Sequence, residues 1–206
     1  MTHCTIIDIG FGNIGSLENA LQECSFRYER LSEPKTIETD LIILPGVGNY
    51  GQFMKELRSR KFDNYLLRHY HSGTRILGIC LGMQIMGKQS EEDNNSNFGL
   101  NFFEFEVVSL EKRGWSYQIP NIGFRDTSFQ SEELRDIYGA THPFYYVHSF
   151  CIDPEFKDRA KIIATIDQGD KVYPMAVRSR KAIGVQFHPE KSHKSGLKII
   201  RYSASI

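Results

Sequence analysis

Cys80 stands between two glycines in the stretch Gly78-Ile79-Cys80-Leu81-Gly82, directly after a short apolar run. A nucleophile at a sharp turn from a strand into a helix is held above the edge of a sheet, and flanking glycines make room for the strained backbone and for a substrate. Amide groups at the start of the following helix favour a thiolate and can donate to a developing oxyanion. A buried structural cysteine at the end of a strand is the alternative interpretation.

His188 follows another apolar run, in the segment Gln186-Phe187-His188-Pro189-Glu190. A catalytic thiol needs a base to accept its proton, and the base needs an acceptor that orients its second ring nitrogen. Glu190 lies two residues further on, and Pro189 stiffens the link, so the carboxylate can fold back onto the imidazole. We therefore predict a catalytic triad of Cys80, His188 and Glu190.

A third candidate is the glycine-rich stretch Gly10-Phe11-Gly12-Asn13-Ile14-Gly15, which matches G-x-G-x-x-G between a predicted strand and a predicted helix. Glu29 or Glu33 lies roughly twenty residues further on, as the dinucleotide-binding pattern requires. A tight first connection between strand and helix explains the glycines equally well. A non-catalytic or dinucleotide-binding α/β module that uses Gly10, Gly12 and Gly15 is therefore an alternative from another functional class.

The elements that must position these residues alternate between strand and helix over residues 1–90, which predicts a parallel sheet with helices on both faces. Beyond residue 102 the strands follow one another more closely, which favours an antiparallel extension of that sheet. The strands are predicted at 5–9, 26–31, 40–44, 75–79, 103–108, 144–150, 161–166, 173–177 and 182–187, and a closing helix at 196–202. The predicted fold is α/β, a flavodoxin-like three-layer sandwich that forms one domain over residues 1–206.

The amino-acid composition excludes several further classes of protein. The 206 residues include 25 Lys and Arg against 25 Asp and Glu, a balance that argues against a nucleic-acid or anionic-membrane surface. No apolar run reaches the roughly 18 residues of a membrane helix, and the first residues do not resemble a signal peptide. The four cysteines form no C-x-x-C pair or zinc-type cluster, so we expect free thiols, a cytoplasmic location and no metal.

Taken together, these motifs resemble those of the class I (triad) glutamine amidotransferases, nearly from end to end. Within that family the chain is similar to the glutaminase subunits of imidazole glycerol phosphate synthase. The similarity is carried by Asp8-x-Gly10-x-Gly12-Asn13 with Ser16, Leu44-Pro45-Gly46-Val47-Gly48, Gly78 to Gln84, Tyr146-Val147-His148-Ser149 and Gln186 to Ser192. The resemblance implies a class I amidotransferase fold, no cofactor, and hydrolysis of L-glutamine to glutamate and ammonia through a cysteinyl thioester.

The resemblance also implies roles for further residues. The oxyanion and substrate-binding residues would be Gly46, Val47, Gly48, Leu81, Gln84, His148 and Ser149, although His148 taken alone reads as structural or interface-lining. The partner interface would include Asn13, Asn121, Gly123, Phe124 and Lys191. That partner would be a cyclase subunit, a HisF-like (β/α)8 barrel, which forms a heterodimer with this chain and uses its ammonia in histidine biosynthesis.

One segment departs from the family pattern. Pro120-Asn121-Ile122-Gly123-Phe124-Arg125 stands where the family usually has Pro-His-Met-Gly-Trp-Asn, in a section placed near the synthase partner. The departure leaves the triad intact. It keeps open an alternative in which a paralogous glutaminase supplies ammonia to a sugar amidotransferase in surface-glycan biosynthesis.

Overall fold

The computed structural model describes residues 1–158 and 161–206, and in that part of the chain a sheet of nine strands forms the centre of the fold. Five adjacent strands are parallel, in the order β2 (Arg27–Leu31), β1 (His3–Ile7), β3 (Leu41–Gly46), β4 (Arg75–Cys80) and β11 (Ala182–Val185). The sheet continues antiparallel through β10 (Lys171–Ser179), β9 (Ile162–Gln168), β6 (Asn121–Phe129) and β7 (Thr141–His148). A separate two-stranded sheet pairs β5 (Val107–Ser109) with β8 (Phe150–Ile152).

Helices cover both faces of the large sheet, as the alternating pattern predicts. They are α1 (Ile14–Glu23), α2 (Tyr50–Ser59), α3 (Phe62–Ser72), the short α4 (Leu81–Gln84), α5 (Glu132–Tyr138) and α6 (His193–Ser205). One apolar core lies on the side of α1 and α6 and includes Leu17 and Ile199, whereas the other lies on the side of α2 and α3 and includes Phe53 and Leu66. The result is the predicted three-layer α/β sandwich with a largely parallel sheet and an antiparallel extension.

The register of the parallel strands determines which residues meet at the end of the sheet. Gly46 of β3 lies opposite Cys80 of β4, and Val185 of β11 lies opposite Ile79. The residues that follow β11 therefore emerge beside Cys80, because parallel neighbours end at the same edge. This register brings two motifs that are far apart in the sequence to one place.

Several predicted elements differ from the observed ones. The predicted strand at 103–108 is wrong over most of its length, because only Val107–Ser109 forms a strand. Phe103 and Phe105 are buried, but their backbone groups pair with the irregular segment after α4, through Met86 and Lys88. The helix that follows Cys80 is short and ends at Gln84. Strand β6 and helix α5 were not predicted.

Candidate active site

Cys80 lies at the turn from β4 into α4 with φ = 53°, a left-handed conformation that a residue other than glycine rarely adopts. The turn is tight because the backbones of β3 and α4 are in direct contact. A Cβ atom on Gly82 would meet the carbonyl of Leu44, and one on Gly46 would meet the amide of Gly82. The two glycines therefore allow the sharp turn that holds the thiol at the end of the sheet.

His188 follows β11 and is held from several directions. Its backbone N–H donates to the Tyr145 carbonyl at 2.8 Å, and its own carbonyl accepts from the Ser192 hydroxyl at 2.7 Å. A 3-10 turn at Pro189–Lys191 folds Glu190 back, so that His188 Nδ1 and Glu190 Oε1 are 2.8 Å apart. Both side chains are almost fully buried, and such a pair fixes the orientation of the imidazole.

Helix α6 supports this turn from behind. Gly196 lies directly against the carbonyl of Pro189, where no Cβ atom would fit. The preceding residue, Ser195, accepts the Tyr138 hydroxyl through its carbonyl at 2.7 Å. The position of Glu190 is therefore set by the way in which α6 packs.

The other ring nitrogen of His188, Nε2, is buried and has no hydrogen-bond partner among the described residues, and Cys80 is a neighbour of the imidazole. Burial alone would lower the pKa of His188, but the neighbouring Cys80 sulfur and the Glu190 carboxylate outweigh burial and raise the pKa to about 10. At neutral pH the imidazole therefore carries a proton and is poised to act as an acid. The three side chains predicted to form a triad are close together in the structure.

A second buried histidine lies beside the triad. His148 Nδ1 donates to the Phe150 carbonyl at 2.9 Å, and Nε2 accepts from the Asn121 amide at 2.9 Å. Burial first, and the nearby positive charges of His188 and Arg125 second, lower the pKa of His148 to about 4, against the effect of the bond to Phe150. His148 is therefore neutral where His188 is charged, and both of its nitrogens are occupied.

Two glutamines complete the surroundings of the sulfur. Gln84 Nε2 donates to the Phe150 carbonyl at 3.0 Å and to Gln186 Oε1 at 3.1 Å, and Gln186 Nε2 donates to Cys80 Sγ at 3.5 Å. The thiol itself points at the Val147 carbonyl, 3.8 Å away. Gln186 was not among the predicted site residues. Its position two residues before His188, on the same side of an extended chain, was the available signal.

The loop expected to supply an oxyanion donor has its Val47 amide bound elsewhere. Val47 N–H donates to the Phe11 carbonyl at 2.8 Å, so in this conformation it points at the first turn of the fold. Gly48 follows with φ = 102°. The Leu81 N–H lies in the first turn of α4, where no preceding helical carbonyl can accept it, so it is the better-placed donor beside Cys80.

The residues expected at the partner interface differ in how exposed they are. Phe124 and Lys191 are exposed, and Gly123 and Asn13 are half-buried. Asn121 is a correction, because its side chain is fully buried against His148 and cannot contact a partner. Alternate residues of a strand point to opposite faces, so the first position of β6 points inward and Ile122, which was not predicted, is exposed instead.

The glycine-rich first turn packs against the oxyanion loop. A Cβ atom on Gly12 would lie 3.0 Å from the Pro45 side chain, and the Phe11 carbonyl accepts the Val47 amide. Gly15 lies within α1 rather than in the turn. Gly12 thus serves the close packing of two loops, whereas a Cβ atom on Gly10 or Gly15 would meet nothing within 4 Å. This arrangement does not favour the dinucleotide-binding alternative.

Within residues 1–158 and 161–206, no three His, Cys, Asp or Glu side chains are grouped in a way that could hold a metal ion. In the same part of the chain no helix is both long and apolar enough to cross a membrane.

Comparison with known proteins identifies the family. The family model described as glutamine amidotransferase class-I matches residues 5–203. This chain belongs to the class-I glutamine amidotransferases. The imidazole glycerol phosphate synthase subunit HisH of Bacillus subtilis is 34% identical over 199 residues, covering 95% of this chain and 92% of the relative. The HisH subunit of Thermotoga maritima is 31% identical over 200 residues, with the same coverage.

Solved structures agree on the fold of this amidotransferase. A crystal structure of a glutamine amidotransferase superposes with a TM-score of 0.75 at 16% identity, covering 98% of this chain and 99% of the other. The PurLQS structure from Thermotoga maritima gives a TM-score of 0.73 at 16% identity, covering 99% and 98%. At this identity the similarity establishes the fold, and it confirms the predicted fold class.

Proposed function

We propose that this amidotransferase is the glutaminase subunit of an imidazole glycerol phosphate synthase. It would hydrolyse L-glutamine at Cys80 and pass the ammonia to a cyclase subunit. The observation that carries the proposal is the arrangement of Cys80 on a strained turn beside the buried His188–Glu190 pair. Relatives named as HisH subunits, each matched over 95% of this chain, support the choice of complex.

The arrangement supports a two-step reaction. The Cys80 sulfur attacks the carboxamide carbon of glutamine, a C–S bond forms, and the carbonyl electrons move onto oxygen, where the Leu81 N–H can donate. The tetrahedral species collapses, the C–N bond breaks, and His188 gives its proton to the departing ammonia. Water then loses a proton to His188 and attacks the thioester, which releases glutamate and the thiolate. The net reaction consumes glutamine and water and yields glutamate and ammonia.

An exposed apolar surface adjoins this site and supports the proposed assembly with a synthase subunit. Ile122 and Phe124 are 52% and 45% exposed, which is high for large apolar side chains. Phe124 packs against Tyr145 and stacks on His193, and the Lys191 ammonium lies 5.6 Å from the centre of the Tyr145 ring. The Tyr145 carbonyl in turn accepts the His188 amide, so this surface is one hydrogen bond from the triad. A partner seated there would lie next to the released ammonia.

The test measures glutamate released from glutamine, with and without the histidine-pathway cyclase subunit and its nucleotide ligand. We expect the loaded partner to stimulate release, and Cys80→Ser to abolish it while the circular dichroism spectrum stays unchanged. Cys24→Ser is the matched control, because Cys24 is as buried as Cys80 but lies at the end of α1, where its sulfur contacts the Leu197 carbonyl rather than a triad residue. Turnover by Cys80→Ser near the wild-type rate would reject the proposed nucleophile.

The same assay addresses the final nitrogen acceptor. The departure at Asn121 to Arg125 falls on the strand that carries the exposed Ile122 and Phe124, which is where a different partner would be recognised. An active triad that the histidine-pathway cyclase fails to stimulate would favour the alternative, a glutaminase that supplies a sugar amidotransferase. Stimulation by that cyclase would exclude the alternative.

A further inference from the structure

Gln186 is fully buried and lies between the nucleophile and Gln84, yet the proposed reaction gives it no role. Its backbone N–H donates to the Met175 carbonyl at 2.8 Å, which continues the pairing of β11 with β10. Because Val185 is opposite Ile79, Gln186 emerges beside Cys80. The backbone of the sheet therefore fixes where this carboxamide sits.

The orientation of the Gln186 carboxamide is fixed by its neighbour. The Gln84 NH2 group has two hydrogens, and they point at two oxygens, that of Phe150 and Oε1 of Gln186. A flipped Gln186 would place its own NH2 against the NH2 of Gln84, with two donors facing each other. Gln186 must therefore present its NH2 group to the Cys80 sulfur, which is 3.5 Å away.

A fixed N–H donor discriminates between the two forms of the sulfur. A thiol is a weak acceptor, whereas a thiolate accepts a charge-assisted hydrogen bond that is about twice as strong as a neutral one. We propose that Gln186, held in place by Gln84, is a positioning residue that stabilises the Cys80 thiolate and aims its sulfur, a role that rests on Cys80 being the nucleophile of the proposed glutaminase. The donor acts on the sulfur and does not touch the substrate.

The titratable groups around Cys80 are unchanged by a substitution of Gln186, so the effect of Gln186 can be isolated. His188 faces the sulfur, Glu190 stands behind His188, and neutral His148 lies next to His188. Gln186→Met removes the donor, keeps the length of the side chain and leaves these three groups in place. Any change in the pH dependence of Cys80 alkylation in this variant therefore reports the lost donor rather than a lost charge.

The experiment follows the rate of Cys80 alkylation by iodoacetamide against pH, with the modified residue located by mass spectrometry. In this reaction the thiolate attacks the methylene carbon and iodide leaves. Cys80→Ala provides the blank. Burial raises the pKa of the Cys4, Cys24 and Cys151 thiols, so these residues contribute little. For Gln186→Met we expect the midpoint of the alkylation profile to rise by about one pH unit, the shift that loss of a hydrogen bond to a charged group produces.

Turnover supplies the second measurement. Since Gln186 does not contact glutamine in this proposal, we expect kcat of Gln186→Met to fall about tenfold while KM changes less than about twofold. Gln130→Met is the matched control, because Gln130 bonds Thr165 through the same amide group but lies on the exposed loop before α5. It should leave the alkylation midpoint and kcat unchanged.

A second variant covers the case in which Gln186→Met does not fold. Gln84→Met keeps Gln186 but removes the amide that fixes its orientation, so the alkylation midpoint should rise by a smaller amount. A folded Gln186→Met or Gln84→Met with the wild-type midpoint and kcat would overturn the inference while leaving the glutaminase proposal intact. A wild-type protein whose Cys80 resists alkylation and releases no glutamate with a loaded partner would instead overturn the proposed function.

Discussion

Glu190→Gln tests the part of the site on which the proposed chemistry depends most. The substitution keeps the shape of the side chain but removes the charge that faces His188 Nδ1 at 2.8 Å. Both side chains are buried, 1% and 4% exposed, so solvent cannot replace the lost charge. Removing one partner of a buried ion pair costs about 3–5 kcal/mol. We therefore expect the free energy of unfolding near neutral pH to decrease by about this amount.

We expect Glu190→Gln to reduce kcat for glutamate release more strongly than it reduces the free energy of unfolding. A neutral amide can accept from Nδ1–H or donate to Nδ1, and in the second case the ring presents the wrong nitrogen to Cys80. Loss of the orienting carboxylate in a comparable serine triad reduces kcat by about 10⁴-fold. For Glu190→Gln we expect a decrease of roughly 10³- to 10⁴-fold in kcat for glutamate release with a loaded partner.

The pH dependence of stability gives an independent check. The folded protein raises the pKa of His188 from 6.5 to about 10, through Cys80 and Glu190 against the opposing effect of burial. A raised pKa contributes stability that is complete below pH 6.5 and is lost as the pH rises through about 10. The difference in unfolding free energy between wild type and Glu190→Gln, measured in urea, should therefore shrink across this interval.

The control for this experiment is Glu133→Gln, because Glu133 is 59% exposed and its contacts with Arg178 and the Ser131 hydroxyl lie at the surface. It should change the unfolding free energy by less than about 0.5 kcal/mol. A Glu190→Gln variant whose kcat is within tenfold of the wild-type value would refute the reasoning. So would a loss of unfolding free energy that is the same below pH 6.5 as it is near pH 10.

Two further predictions concern the backbone around the triad. Gly82→Ala would place a Cβ atom on the Leu44 carbonyl, so the free energy of unfolding, measured in urea, should decrease by about 3 kcal/mol or more. Gly15→Ala is the control, because a Cβ atom at Gly15 has open space and should leave stability unchanged or slightly higher. Equal stabilities would contradict the close contact of β3 with α4. Ser192→Ala removes the hydroxyl that donates to the His188 carbonyl and accepts from the Tyr145 amide. We expect the free energy of unfolding to decrease by about 1–3 kcal/mol and kcat to decrease severalfold. An unchanged kcat would show that this link does not position His188.

The parallel half of the fold could be predicted because its strands are short, apolar and followed by helices with clear hydrophobic faces. Strand β4, with the sequence Arg75–Cys80, is buried on both sides and reads as a continuous apolar run. The triad could also be predicted, because a glycine-flanked cysteine and a His-x-Glu segment after a strand have a chemical reason to be there.

The antiparallel half was harder to predict from the sequence. Strand β6 contains Asn121, Arg125 and Asp126 and lacks the apolar alternation that marks a half-buried strand, because its inner positions form polar contacts around His148 and Tyr146. The aromatic run at 102–105 has that alternation, but packing against the segment after α4 overrides it. The contact of Gln186 with Cys80 depends on the register of β11 against β4, and the spacing of Gln186 from His188 was the one local signal for it.

The contact between Gly196 and the carbonyl of Pro189 leaves no space for a side chain, so a residue of α6 that takes no part in the chemistry constrains the triad. A larger residue at position 196 would displace the 3-10 turn and move Glu190 away from the imidazole. Sequence variation in this helix is therefore limited by a reaction that takes place on the far side of the turn.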